Sequence, residues 1–164
     1  MIDAPTKDET VLLQETKPNF PEVRQRWRHY WAGEVDKRPL VMAQAAKPGK
    51  QSKGVGFRYR RSMLGEVEAI QADIDEWLET TDFLAELVPH VQPDLGPDQF
   101  AAFFGTDLHF NEDSPNTNWV EPIVDDWAAA LPLAFSTENP TWQKACAWSR
   151  MLHEYSRGRY VVGM

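Results

Sequence analysis

The sequence predicts an α/β fold with parallel strands, on three observations. Short apolar runs without polar alternation, LVMA at 40–43 and YVV at 160–162, have the character of strands covered on both faces. Long stretches with apolar residues at helical spacing lie between them. The second run stands at the end of the 164 residues, where a complete domain seldom stops, and a closed barrel of such units takes about 250 residues. The expectation is therefore a truncated chain carrying the N-terminal portion of a (β/α)8 TIM barrel, with an arm at 1–20 and the barrel part at 21–164. A small complete α+β domain, its sheet closed by the C-terminal strand, is the alternative.

Taken in order, residues 1–20 are polar, contain Pro5 and Pro18 and hold a single apolar patch at Val11, Leu12 and Leu13, so they read as a loosely held arm. PEVRQRWRHYWAGE places Val23, Trp27, Tyr30 and Trp31 at helical spacing, with Pro21 in the first turn and Gly33 near the end. After the strand at 40–43, KPGKQSKGVGFRYRRS lacks periodicity and reads as a basic loop. Val67, Ile70, Ile74, Trp77 and Leu78 then keep a helical period that Glu79, Thr80 and Thr81 interrupt. Phe83, Leu84 and Leu87 resume it, so a kink or a second helix capped by Asp82 is expected there.

His90 to Pro93 reads as a brief strand, PDLGPD as a turn, and QFAAFFG as a short helix closed by Gly105. LHF at 108–110 and NWVEP at 118–122 are extended candidates, the second ending before Pro122. The clearest helix has Asn139 as its cap, Pro140 at its first position, Ala145, Trp148, Leu152 and Tyr155 on one face, and Gly158 as its stop.

Composition narrows the function. An aromatic content of 12% with seven Trp is too rich for a disordered chain, and mean hydropathy of -0.53 with no long apolar run leaves no membrane-spanning segment. With 25 acidic against 17 basic residues, net charge -8, the chain lacks the phosphate-neutralising surplus of a nucleic-acid protein. The N-terminus has acids where a signal peptide needs a basic start, and Cys146 has no disulfide partner, so a cytoplasmic protein is expected.

The succession RWRHYWAGEVDKRPLVM, HVQPDLGPDQFAAFFGTDLHF, NWVEPIVDDW, a Trp-bearing helix and GRYVVGM resembles the N-terminal part of the uroporphyrinogen decarboxylase-like superfamily, in an uncharacterised branch. The resemblance runs from about Phe20 to Met164, and order and spacing carry it rather than any single motif. It implies a (β/α) barrel with its active site at the C-terminal ends of the strands. It also implies either cofactor-independent carboxyl-lyase chemistry or zinc-dependent methyl transfer involving corrinoids, with a corrinoid protein or a second copy as partner and a small anionic substrate. Where the decarboxylases carry an arginine-rich motif after the first strand, this chain reads AQAAKPG and offers Gln44 and Lys47, which speaks against uroporphyrinogen itself. The methyltransferases use a His and two Cys from later strands; with one Cys, this chain has no zinc site and no cofactor of its own, and such ligands would lie downstream.

Six residues are the site candidates. Asp94 follows the second strand, where a barrel presents catalytic groups and where the family's decarboxylases place an essential Asp. Asp94 and Asp98 also bracket a turn, which favours Asp for hydrogen bonding alone. Trp119 and Glu121 flank Val120 in an extended segment, an aromatic wall beside a carboxylate, or else a rim and a solvated acid. His109 lies opposite Leu108 and Phe110 in alternation, as a third acid/base group or a surface imidazole. Gln44 would orient substrate, and Lys47 begins the run Lys50, Lys53, Arg58, Arg60 and Arg61, which reads as an anion-closing loop or, more commonly, a solvated one.

Three near-motifs are set aside. The GVG has Tyr59 at the third glycine position of a dinucleotide fingerprint, His153 and Glu154 lack the second His of a zinc protease, and Cys146 lies inside a helix. A reading from another class is a non-catalytic interaction domain that uses exposed aromatics.

Overall fold

The computed structural model describes residues 13–34, 37–52, 54, 58–111 and 117–163. Lys53 and the last two residues of GVG lie outside them. The fold is mixed, with more helix than strand: α1 Phe20–Trp31, β1 Met42–Ala46, α2 Tyr59–Leu64, α3 Val67–Thr80, β2 Thr81–Ala85, β3 His90–Val91, α4 Gln99–Ala102, β4 Leu108–Phe110, β5 Asn118–Val120, α5 Trp127–Ala130, α6 Pro140–Ser156 and β6 Val161–Val162. Among the described residues the strands form three two-stranded sheets, β1 with β2, β3 with β6 and β4 with β5, and none closes on itself. The α/β mixture is as expected; a closed barrel is not seen.

The chain divides into two compact units, the first formed by Met1–Val55, Gln71–Gln92 and Leu152–Met164 and the second by Gly56–Ile70 and Pro93–Met151. In the first unit β1 runs antiparallel to β2, with Gln44 opposite Phe83 and Ala46 opposite Thr81. This corrects two expectations. The first strand begins two residues later than its apolar run and is exposed at all five positions. The segment after α3 is a strand, not a second helix: Thr81 and Phe83 turn inward in alternation, and Ala85, at φ 49, ends it.

Phe83 meets Trp77 edge to face with ring centroids 4.8 Å apart, over a core that includes Val23, Ile74 and Val91. The supposed arm is packed from Leu13 onward. Leu13, Lys17 and Phe20 are all buried, and Lys17 Nζ donates to the carbonyls of Phe83 at 2.6 Å and Ala85 at 2.8 Å.

β3 and β6 pair in parallel, His90 with Val161 and Val91 with Val162, and α6 lies in the chain between them. The ladder continues at both ends, where Val161 N donates to Pro89 O and Gly163 N to Val91 O. α6 begins as its sequence dictates. Asn139 Oδ1 accepts from Trp142 N at 2.9 Å, Pro140 occupies the first position, and Ala145, Trp148 and Leu152 are buried along one face. At the C-terminal end of α6, Asp75 takes a hydrogen bond from Tyr155 Oη at 2.6 Å and, from just past the helix, another from Arg159 Nη1 at 2.7 Å.

The second unit packs around Tyr59, Leu95, Ala102 and Trp148. The expected basic loop turns helical at Tyr59, and its solvated character is corrected at Arg58, which is 8% exposed. The β4–β5 hairpin is antiparallel, with His109 opposite Trp119.

Candidate functional site

Asp94 sits in the first turn of PDLGPD, and both of its carboxylate oxygens accept backbone hydrogen bonds: Oδ2 from Arg58 N at 2.7 Å and Oδ1 from Gly96 N at 3.0 Å. The second bond is the two-residue reach that suits Asp to turns. Leu95 and Gly96 are buried beneath the turn, and Asn118, 5% exposed at the start of β5, donates its Nδ2 to Leu95 O at 2.8 Å. Tyr59 Oη donates to Thr117 O at 2.7 Å. The turn, the start of α2 and the start of β5 are thus held together by side-chain to backbone bonds.

On the hairpin, the His109 and Trp119 rings stack with centroids 5.6 Å apart, since directly opposed residues in an antiparallel pair share a face. Glu121 takes a different place. It lies past the end of β5, its carbonyl accepts from Thr106 Oγ1 at 2.7 Å, and it lines a cavity of about 310 Å³ with Phe100, Phe104, Val120, Ile123 and Trp127. Trp119 is not part of that lining, so the aromatic wall beside Glu121 is Trp127 and the Phe100–Phe104 pair. The strand itself ends at Val120, one residue before Glu121.

Gln44 and Lys47 belong to the first unit. Gln44 Oε1 accepts from Trp77 Nε1 at 3.4 Å, and Lys47 Nζ donates to Leu78 O at 3.1 Å, so both polar groups are already engaged with α3.

The same unit holds a charge cluster that sequence reasoning missed. Glu86, 2% exposed, receives a two-pronged hydrogen bond from Arg38 at 2.6 and 2.9 Å, a third from Val41 N at 2.8 Å, and Arg26 Nε at 3.1 Å. The Arg38 hydrogen bonds lead in drawing its carboxyl down to about 2, with Val41 N–H and the Arg26 charge adding to them against the opposing effect of burial. Beside it Arg26, Trp27, Tyr30, Arg38, Leu40 and Met42 line a cavity of about 420 Å³, which none of the six sequence candidates touches.

Among the described residues no three His, Cys, Asp or Glu side chains come together in a way that could hold a metal ion. No helix of the described residues is long and apolar enough to cross a membrane. Comparison with protein-family models, with curated proteins and with solved structures finds no match for this chain.

Proposed function

We propose that this chain is the N-terminal part of a uroporphyrinogen decarboxylase-like (β/α)8 barrel enzyme, acting on a small anionic or tetrapyrrole- or corrinoid-related substrate by carboxyl-lyase chemistry. The observation that supports the reading best is the parallel pairing of β3 with β6, whose connection carries α6 together with α4, α5 and the β4–β5 hairpin; parallel strands joined through a helix are what such barrels repeat. Asp94 follows β3 by three residues, at the strand end where barrels carry their chemistry.

In this reading, loss of CO2 leaves an electron pair on carbon that must take up a proton, and Asp94 and His109 are the groups that can handle one. Trp119, stacked on His109, limits the imidazole's freedom. The two backbone donors on Asp94 fix its orientation, which is what a positioned proton-handling group requires.

The test is CO2 release by the natural gene product from a panel of carboxylated tetrapyrroles and small carboxylic acids. Release that falls about 100-fold or more in Asp94→Asn, with folding verified by thermal melting, is the expected result. No release from any member of the panel, or release unaffected by the substitution, overturns the proposal.

A further inference from the structure

We propose that the cavity beside Glu121 is a binding site for a small alkylated ammonium ion, separate from the Asp94 turn and from the anionic substrate of the preceding section. Its volume of about 310 Å³ is at the small end of ligand pockets, and its walls are almost wholly apolar. The rings of Phe100 and Trp127 are 70% and 60% exposed, far more than large aromatics normally leave uncovered, and both face the same hollow. Phe100 packs edge to face on Phe104, with centroids 5.4 Å apart, and Phe104 is joined to Phe135 in the same manner, so the aromatic wall is braced from behind.

The charge around the cavity selects the ligand. Among the described residues Glu121 is the only charged one in the lining, and the Thr106 hydroxyl pins its backbone at the wall. Asp125 and Asp126 follow it, both exposed, and Asp126 is occupied in capping Ala128 N at 2.9 Å. No Lys or Arg occurs anywhere between Arg61 and Lys144 in the sequence, so the chain that builds this face has no fixed cation to neutralise it. An apolar hollow with exposed aromatic rings and an acidic residue on its wall suits a cation whose charge is wrapped in methyl groups, since the methyls fill the hollow while the charge meets the ring faces. A bare ammonium or metal ion would lose its hydration there without enough oxygen donors to replace it.

The probe is choline, titrated into the intact chain and followed by proton–nitrogen correlation spectra, against its uncharged carbon isostere in which tert-butyl replaces trimethylammonium. Choline should shift the Trp127 indole and Thr106 amide signals and bind about tenfold tighter than the isostere. Glu121→Gln and Trp127→Ala should each weaken choline about fivefold or more, and both residues are exposed, so neither substitution disturbs the core. Equal binding of the isostere would make the cavity a plain apolar docking face and overturn the proposal. So would the absence of choline-induced shifts, or shifts indifferent to both substitutions.

Discussion

The Nδ2 of Asn118 stands where a Cβ on Gly96 would have to go. Gly96 also has φ +94, a conformation that side chains other than glycine's rarely adopt, so the turn carrying Asp94 is closed around an absent side chain. Gly96→Ala is accordingly expected to cost about 3 kcal/mol or more, strain and overlap together. Gly105→Ala, at φ +103 with nothing within 4 Å of its Cβ position, isolates the strain alone and should cost about 1 kcal/mol. Denaturant midpoints of the two variants check the difference; equal losses would mean that Asn118 does not close the turn.

Acid sensitivity should centre on Glu86. Its carboxyl is held at about 2 against an ordinary 4.5, so its stabilising effect is complete above about pH 4.5 and is lost as pH falls towards 2. The shift corresponds to about 3 kcal/mol across that window. Glu86→Gln should lower stability at pH 7 and flatten the pH dependence between 4.5 and 2. A variant that unfolds in acid with the unchanged slope would place the acid-sensitive group elsewhere.

Tyr155 should be the tyrosine that is slow to ionise. The hydrogen bond it donates to Asp75, reinforced by burial, raises its phenol above the ordinary 10. A group raised in the folded state stabilises below its unfolded value and loses that stabilisation as pH climbs through the folded one, so the cost appears above pH 10. Ultraviolet titration of tyrosinate should show a late component that disappears in Tyr155→Phe and moves to lower pH in Asp75→Asn. Tyr155→Phe should itself cost about 1 kcal/mol at neutral pH.

What the sequence made legible was local. α6 could be read residue by residue, from the Asn139 cap to the buried face at Ala145, Trp148 and Leu152, because caps and periodicity act within a turn or two. The PDLGPD turn and both strands of the β4–β5 hairpin were visible for the same reason. What escaped depends on long-range partners. Phe83 and Leu84 continue a helical period but are claimed by β1, and no local pattern records a strand pairing. Lys17 looks like a solvated residue of a polar arm until the carbonyls of Phe83 and Ala85 surround its ammonium. Glu86 is one acid among many until Arg38, 48 positions away in sequence, closes on it.

The candidate site divides along the same line. That Asp94 belongs to a turn was readable, whereas the amide of Arg58 on its Oδ2 was not. His109 and Trp119 were each singled out, but their stacking requires the hairpin register. The cavity that Glu121 lines with Phe100, Phe104 and Trp127 lies past the end of β5 and draws on residues about 20 positions apart, which no local alternation records.

The central claim is that the parallel β3–β6 pair is part of a barrel with Asp94 at its mouth. A crystal structure of the natural gene product tests it most directly. The account predicts His90–Val91 and Val161–Val162 as neighbouring strands of a closed, eight-stranded parallel sheet, with Asp94 at the C-terminal end facing a central pocket. A natural gene product in which no further parallel strand joins β3 or β6 would contradict it.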